Sequence, residues 1–179
     1  MTRVRMSLIR AVAAMVVIAG PTVAGCSKAR GPAACVDIAG AACQTCRDTA
    51  TAQFCKPSYV APEASGNIKV NGRKGCCGFE DPKLRTNCEN VLACIRNTGC
   101  GVGNSPIRCL CGEVGMGPCA AADKWNGPCA SVYAAALAGG PPGKLIQLFG
   151  DPKSPIGVAN NTFTCDVDAT CPCGATAKK

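Results

Sequence analysis

Histidine is absent from the 179-residue chain, aromatic residues make up only 4%, and tryptophan occurs once, at Trp125. The first absence removes Ser-His-Asp triads, Cys-His proteases, histidine metal sites and Cys-x-x-Cys-His haem attachment together. The second leaves few large side chains from which to build an apolar core. The apolar run Ala11 to Ala19 has nine residues, rising about 14 Å as a helix against a hydrocarbon core of about 30 Å, so a permanent membrane span is not expected.

Cysteine takes the place of that core. Of 17 cysteines, nine fall between Cys76 and Cys129, as Cys76, Cys77, Cys88, Cys94, Cys100, Cys109, Cys111, Cys119 and Cys129. A small exported chain that buries little apolar area is held by sulfur bridges instead, each stabilising by about 2–4 kcal/mol.

The N-terminus carries the three parts of an export signal. Arg3, Arg5 and Arg10 form a basic front, Ala11 to Ala19 an apolar centre, and Val23-Ala24-Gly25-Cys26 the close. That last tetrapeptide resembles, at all four positions, the lipobox of bacterial lipoproteins: an aliphatic residue, two small ones, then an obligatory cysteine. The resemblance implies that residues 1–25 are removed, that the sulfur of Cys26 carries diacylglycerol, and that its new amino group is acylated. Two or three acyl chains anchor firmly where one does not. Ser27 in the next position is compatible with delivery to an outer membrane.

Lipidation of Cys26 leaves sixteen of the 17 cysteines, the even number that full pairing requires. These are Cys35, Cys43, Cys46, Cys55, Cys76, Cys77, Cys88, Cys94, Cys100, Cys109, Cys111, Cys119, Cys129, Cys165, Cys171 and Cys173, which can pair in roughly two million ways, so connectivity is open. Losing Arg3, Arg5 and Arg10 takes the net charge from +8 to +5, mild and spread out, and no nucleic-acid partner is expected.

Taken in order, residues 26–34 read as a lipidated tether, residues 35–174 as a cysteine-rich helical domain, and residues 175–179 as a tail. The loop 56–75, rich in Pro, Gly, Asn and Ser, divides a smaller N-terminal part from the main part. Cys35 to Cys55 shows helical spacing in Cys43, Cys46, Ala50 and Phe54. Cys43 and Cys46 have redox spacing, but no convincing strand precedes them, and two cysteines on one helix face bridging to neighbours is the ordinary reading. Ile68 to Arg73 has the pattern of a hairpin around Asn71-Gly72. Lys69, Arg73 and Lys74 make a small basic cluster, read as a solvated loop rather than an anion site.

Cys76 and Cys77, being adjacent, are expected to take different partners. Asp81 and Pro82 open the clearest helix, with Thr86 and Glu89 offering a rival start as a capping box. Leu84, Cys88, Val91 and Ile95 form its stripe, flanked by Leu92 and Cys94, and Asn97 to Gly99 ends it. From Cys100 the chain reads as irregular, and Cys109 and Cys111 are expected to point to opposite sides of an extended backbone. Further helices are expected over Pro128–Ala138, Lys144–Phe149 and Pro155–Thr162. The expected fold class is a small, mainly α, disulfide-rich domain with several short helices and long irregular loops.

The order Asn87-Cys88, Val91 to Arg96, Cys100, Cys109-Leu110-Cys111-Gly112, Gly127-Pro128-Cys129, Phe149-Gly150-Asp151-Pro152 and Cys165-Asp166 is similar to the cysteine-rich predicted lipoproteins of myxobacteria. The likeness spans roughly residues 76–173. It implies an exported lipoprotein and lends no activity.

Three functional classes are open. The leading one is a lipid-anchored, disulfide-stapled module of the cell envelope, joined to the membrane through a diacylglyceryl anchor and engaging an unknown envelope or extracellular partner. It needs no cofactor, no metal and no catalytic residue. The second is a thiolate metal or redox protein using the pairs Cys43/Cys46, Cys109/Cys111 and Cys171/Cys173. The third is a histidine-free enzyme using carboxylates, either Asp166 with Asp168 on one face of a strand or Glu80 with Asp81. Trp125 and Tyr59 are the aromatic candidates for a binding face, with packing beside the second helix the ordinary reading of Trp125.

Overall fold

The central helix explains itself from its ends inward. Asp81 caps it, its carboxylate accepting from the backbone N–H groups of Lys83 at 2.7 Å and Leu84 at 3.3 Å, and Pro82 occupies the first turn where no N–H is needed. Gly99 stops it in the left-handed region, φ 65°, with its N–H bonded to the Ile95 carbonyl. Between these signals runs Pro82–Thr98, which buries Cys88, Val91, Leu92 and Ile95. Leu84 and Cys94 lie at the margin of that face, partly buried.

This is seen in a computed structural model, which describes residues 39–56, 73–103, 106–115, 117–119, 125–137 and 143–174. The described helices are α1 (Ala41–Thr49), α2 (Pro82–Thr98), α3 (Ile107–Cys111), α4 (Ala130–Ala136), α5 (Gly143–Leu148) and α6 (Pro155–Asp168), with 3₁₀ turns at Gln53–Cys55 and Cys76–Gly78. No extended strand occurs among the described residues. The protein is a small, mainly α, disulfide-rich fold, and no described helix is long and apolar enough to cross a membrane.

α2 packs on α6 and α4, and α6 also covers both 3₁₀ turns. α6 starts as α2 does: Ser154 Oγ accepts from the Gly157 N–H at 2.8 Å and Pro155 follows it. One core cluster gathers Phe79, Val91, Leu92, Ile95, Leu110, Tyr133, Leu145, Ile156, Val158 and Phe163, with half-bridge cysteines among them. Tyr133 stacks on Phe149 with ring centroids 5.3 Å apart, and its hydroxyl donates to Asn160 Oδ1 at 2.5 Å. Asn160 donates in turn to the Phe149 carbonyl at 2.9 Å, locking α4, α6 and the end of α5 together. Burial pushes the Tyr133 phenol well above its ordinary range.

Several expectations are corrected in extent. The helix read over Cys35–Cys55 is Ala41–Thr49 followed by a separate 3₁₀ turn, because the backbone at Ala50 is extended, φ −65° and ψ 134°. The last helix runs six residues beyond the expected Thr162, to Asp168: Thr162, Phe163, Cys165 and Asp166 are all buried, so packing carries it past a poor helix-forming sequence. The stretch holding Cys109 and Cys111 is the helix α3 rather than extended backbone. Two residues apart on a helix also point to opposite sides, and the two cysteines do take different partners. The other two helices are Ala130–Ala136 and Gly143–Leu148. Thr86 and Glu89 lie inside α2 and do not start it.

Residues 1–38, the Ile68–Arg73 hairpin up to Gly72, Tyr59, Lys69, the loop between 57 and 72, and residues 175–179 lie outside the described residues.

α3 and the start of α4 meet backbone to backbone, Gly127 N–H donating to the Leu110 carbonyl and Cys129 N–H to the Cys109 carbonyl, both at 2.8 Å. A Cβ on Gly127 would lie 2.4 Å from the Cys109 carbonyl oxygen. Gly127→Ala is therefore expected to cost at least about 2 kcal/mol in denaturant unfolding, since backbone cannot move aside as a side chain can. An unchanged unfolding midpoint would show that this contact does not constrain the fold.

Candidate functional site

Seven bridges join described cysteines: Cys43–Cys173, Cys46–Cys171, Cys55–Cys165, Cys76–Cys88, Cys94–Cys129, Cys100–Cys109 and Cys111–Cys119. Cys77 is bridged as well, to a partner outside the described residues. The first three close long loops, with sequence separations of 130, 125 and 110, and tie α1 and its following turn to the C-terminal segment.

Beneath that clasp lies a buried cluster of charge. Asp166 of α6 accepts from Arg47 of α1 in a fork, Nε to Oδ1 at 2.5 Å and Nη2 to Oδ2 at 2.7 Å, and from Arg96 Nη2 of α2 at 2.8 Å. The Arg47 and Asp166 side chains are 0% exposed and Arg96 only 6%, so bulk water screens none of this. Spacing positions the arginines. Arg47 stands four residues after the buried Cys43 on α1, and Arg96 four after the buried Leu92 on α2, which places each on an inward face. Beside them Gln44 donates to Asp48 Oδ1 at 2.8 Å and the Lys74 carbonyl at 3.0 Å. The Cys43 sulfur lies 3.7 Å from Arg96 Nη2, and the Cys173 sulfur 3.3 Å from Asp166 Oδ1.

Two groups have the proximity of metal ligands: Cys43, Asp166 and Cys173, and Cys100, Cys109 and Cys129. Every sulfur in both is bridged, and a bridged sulfur offers no thiolate to a metal. Of the three ligand pairs read from spacing, Cys43/Cys46 and Cys171/Cys173 come together and Cys109/Cys111 go elsewhere.

The members of the two carboxylate pairs have different surroundings. Asp166 and Asp168 lie on a helix, not a strand, with Asp166 buried against two arginines and Asp168 exposed. Asp81 is a helix cap, and Glu80 beside it is exposed. The described part of the basic cluster serves α1: Arg73 pairs with Asp48 at 3.7 Å, and Lys74 Nζ donates to the Ala50 carbonyl at 2.6 Å. Trp125 packs, partly buried, against the main core.

A shallow open groove of about 500 Å³ runs between α2 and α4, with Asn90, Asn97, Thr98 and Ser131 as its polar lining and Cys94 in its wall. No known protein family, curated protein or solved structure matches the chain.

Proposed function

We propose that this chain is an exported bacterial lipoprotein, anchored through a lipid on Cys26, whose disulfide-stapled helical domain acts at the cell envelope as a binding or structural module. One observation carries the reading: all fifteen described cysteines are bridged, fourteen among themselves and Cys77 to a cysteine elsewhere. Only Cys26 and Cys35 lie elsewhere in the sequence, so one of them is the odd cysteine. The lipobox pattern assigns that role to Cys26 and leaves Cys35 to Cys77. Bridges in this number persist in an oxidising compartment, where an export signal delivers the chain.

The domain gives a lipoprotein two assets. Its fold survives outside the cell without a large apolar core, and its charged interior is sealed from solvent by the clasp above it. No catalytic residue, cofactor or metal is assigned, and Ser27 in the sorting position is compatible with outer-membrane placement.

The test is Cys26→Ala expressed beside the natural sequence in a bacterial host. The natural chain is expected to sediment with membranes, to lose residues 1–25 and to carry the mass of a diacylglyceryl group plus an acyl chain. The variant is expected to keep its signal and lose the lipid mass. Membrane sedimentation and a lipid mass in the variant would refute the anchor assignment.

A further inference from the structure

Two of the bridges approach each other next to the α2/α4 groove, whose wall includes Cys94. Cys94–Cys129 and Cys100–Cys109 are separate disulfides, yet the sulfurs of Cys129 and Cys100 are 3.9 Å apart. The Thr98 hydroxyl, which donates to the Cys94 carbonyl at 2.8 Å, lies beside both, 2.9 Å from the Cys100 sulfur and 3.7 Å from that of Cys129. Access alternates along the line: Cys94, which lines the groove, and Cys100 are half-buried, whereas Cys129 and Cys109 are 0% exposed.

We propose that this groove is a thiol–disulfide exchange site for a small thiol, with Cys94 the attacked sulfur and Cys129, Cys100 and Cys109 an internal relay. A thiolate entering the groove reaches Cys94 and not Cys129, because of that bridge's two residues Cys94 lines the groove and Cys129 is fully buried. Attack forms an S–S bond between the incoming sulfur and Cys94, breaks Cys94–Cys129, and leaves the electron pair on Cys129. The Cys129 thiolate already lies within van der Waals range of Cys100, so it attacks there without diffusion. That step forms Cys100–Cys129, breaks Cys100–Cys109, and leaves the pair on Cys109, which takes up the proton the incoming thiol gave to solvent. While the charge sits on Cys129, the Thr98 hydroxyl turns from the Cys94 carbonyl to donate to it.

The balance is one thiol consumed, one mixed disulfide formed at Cys94, one bridge moved and one thiol produced at Cys109. No outside oxidant or reductant enters. The neighbouring amide and hydroxyl side chains of Asn90, Asn97 and Ser131 suit a small, polar, peptide-like thiol. The site is independent of Cys26 and of the membrane anchor, so failure here leaves the lipoprotein reading untouched.

The test uses the natural folded protein with reduced glutathione, followed by acid quenching, alkylation and peptide mapping without reduction. The expected product carries glutathione on Cys94, a new Cys100–Cys129 bridge and alkylation on Cys109. Glutathione on Cys94 with alkylation on Cys129 would overturn the relay. Absence of any adduct on Cys94, with other bridges opening first, would overturn the site. Thr98→Val is expected to slow adduct formation at least severalfold with circular dichroism unchanged; an unchanged rate would remove the hydroxyl from the mechanism.

Discussion

Asp166→Ala is expected to destabilise the domain by about 3–5 kcal/mol, because it leaves two guanidinium groups buried without their shared carboxylate. Arg47 and Arg96 arrive from different helices, and the carboxylate between them is fully buried. The interior cannot rehydrate those charges without opening α1 away from α6. Asp166→Asn keeps the shape and one acceptor and is expected to lose less. The surface pair Arg108–Glu113 provides the contrast: its side chains are 45% and 84% exposed, and Arg108→Ala is expected to cost about 0–1 kcal/mol. Chemical denaturation of the three variants with disulfides intact measures the difference. An Asp166→Ala loss no larger than that of Arg108→Ala would mean that the cluster does not hold α1, α2 and α6 together.

The second large effect concerns loop length. Removing together the three bridges that tie α1 and its following turn to the C-terminal segment, Cys43–Cys173, Cys46–Cys171 and Cys55–Cys165, opens a loop whose shortest sequence separation is 110, and the chain-entropy relation gives a loss of at least about 4–5 kcal/mol. Removing Cys111–Cys119, whose separation is 8, is expected to cost about 2 kcal/mol less than that on the same relation. For a domain of this size the long-loop loss corresponds to a fall of roughly 10–20 °C in Tm. Equal losses in the long-loop variant and the Cys111–Cys119 variant would show that local packing around the bridges, and not restriction of the unfolded chain, sets their contribution.

Local signals made much of the fold legible. Asp81-Pro82 and Gly99 marked α2 to within a residue, because caps act through their own backbone neighbours. The run past Thr162 was not legible, since α6 is held there by what Thr162, Phe163, Cys165 and Asp166 bury against, and those partners are distant in sequence. Asp166 illustrates the same limit. As a sequence feature it paired with Asp168 two residues on, but its actual partners stand 119 and 70 residues away. A weak signal for them did exist in the spacings Cys43 to Arg47 and Leu92 to Arg96, four residues from a buried position, although arginine is a residue type rarely found fully buried. The bridge partners could not be read at all. Two million pairings collapse to one only when the helices that carry the cysteines are placed.

Thiol counting on the mature, denatured protein bears most directly on the claim that bridges carry this fold and that Cys26 is the odd cysteine. Alkylation without prior reduction, followed by reduction and alkylation with a second reagent, gives the two populations in one intact-mass spectrum. The expected result is no cysteine modified before reduction, sixteen modified after it, and lipid mass on Cys26. Four or more cysteines modified before reduction would contradict the stapled fold and place free thiolates at the centre of the protein's chemistry.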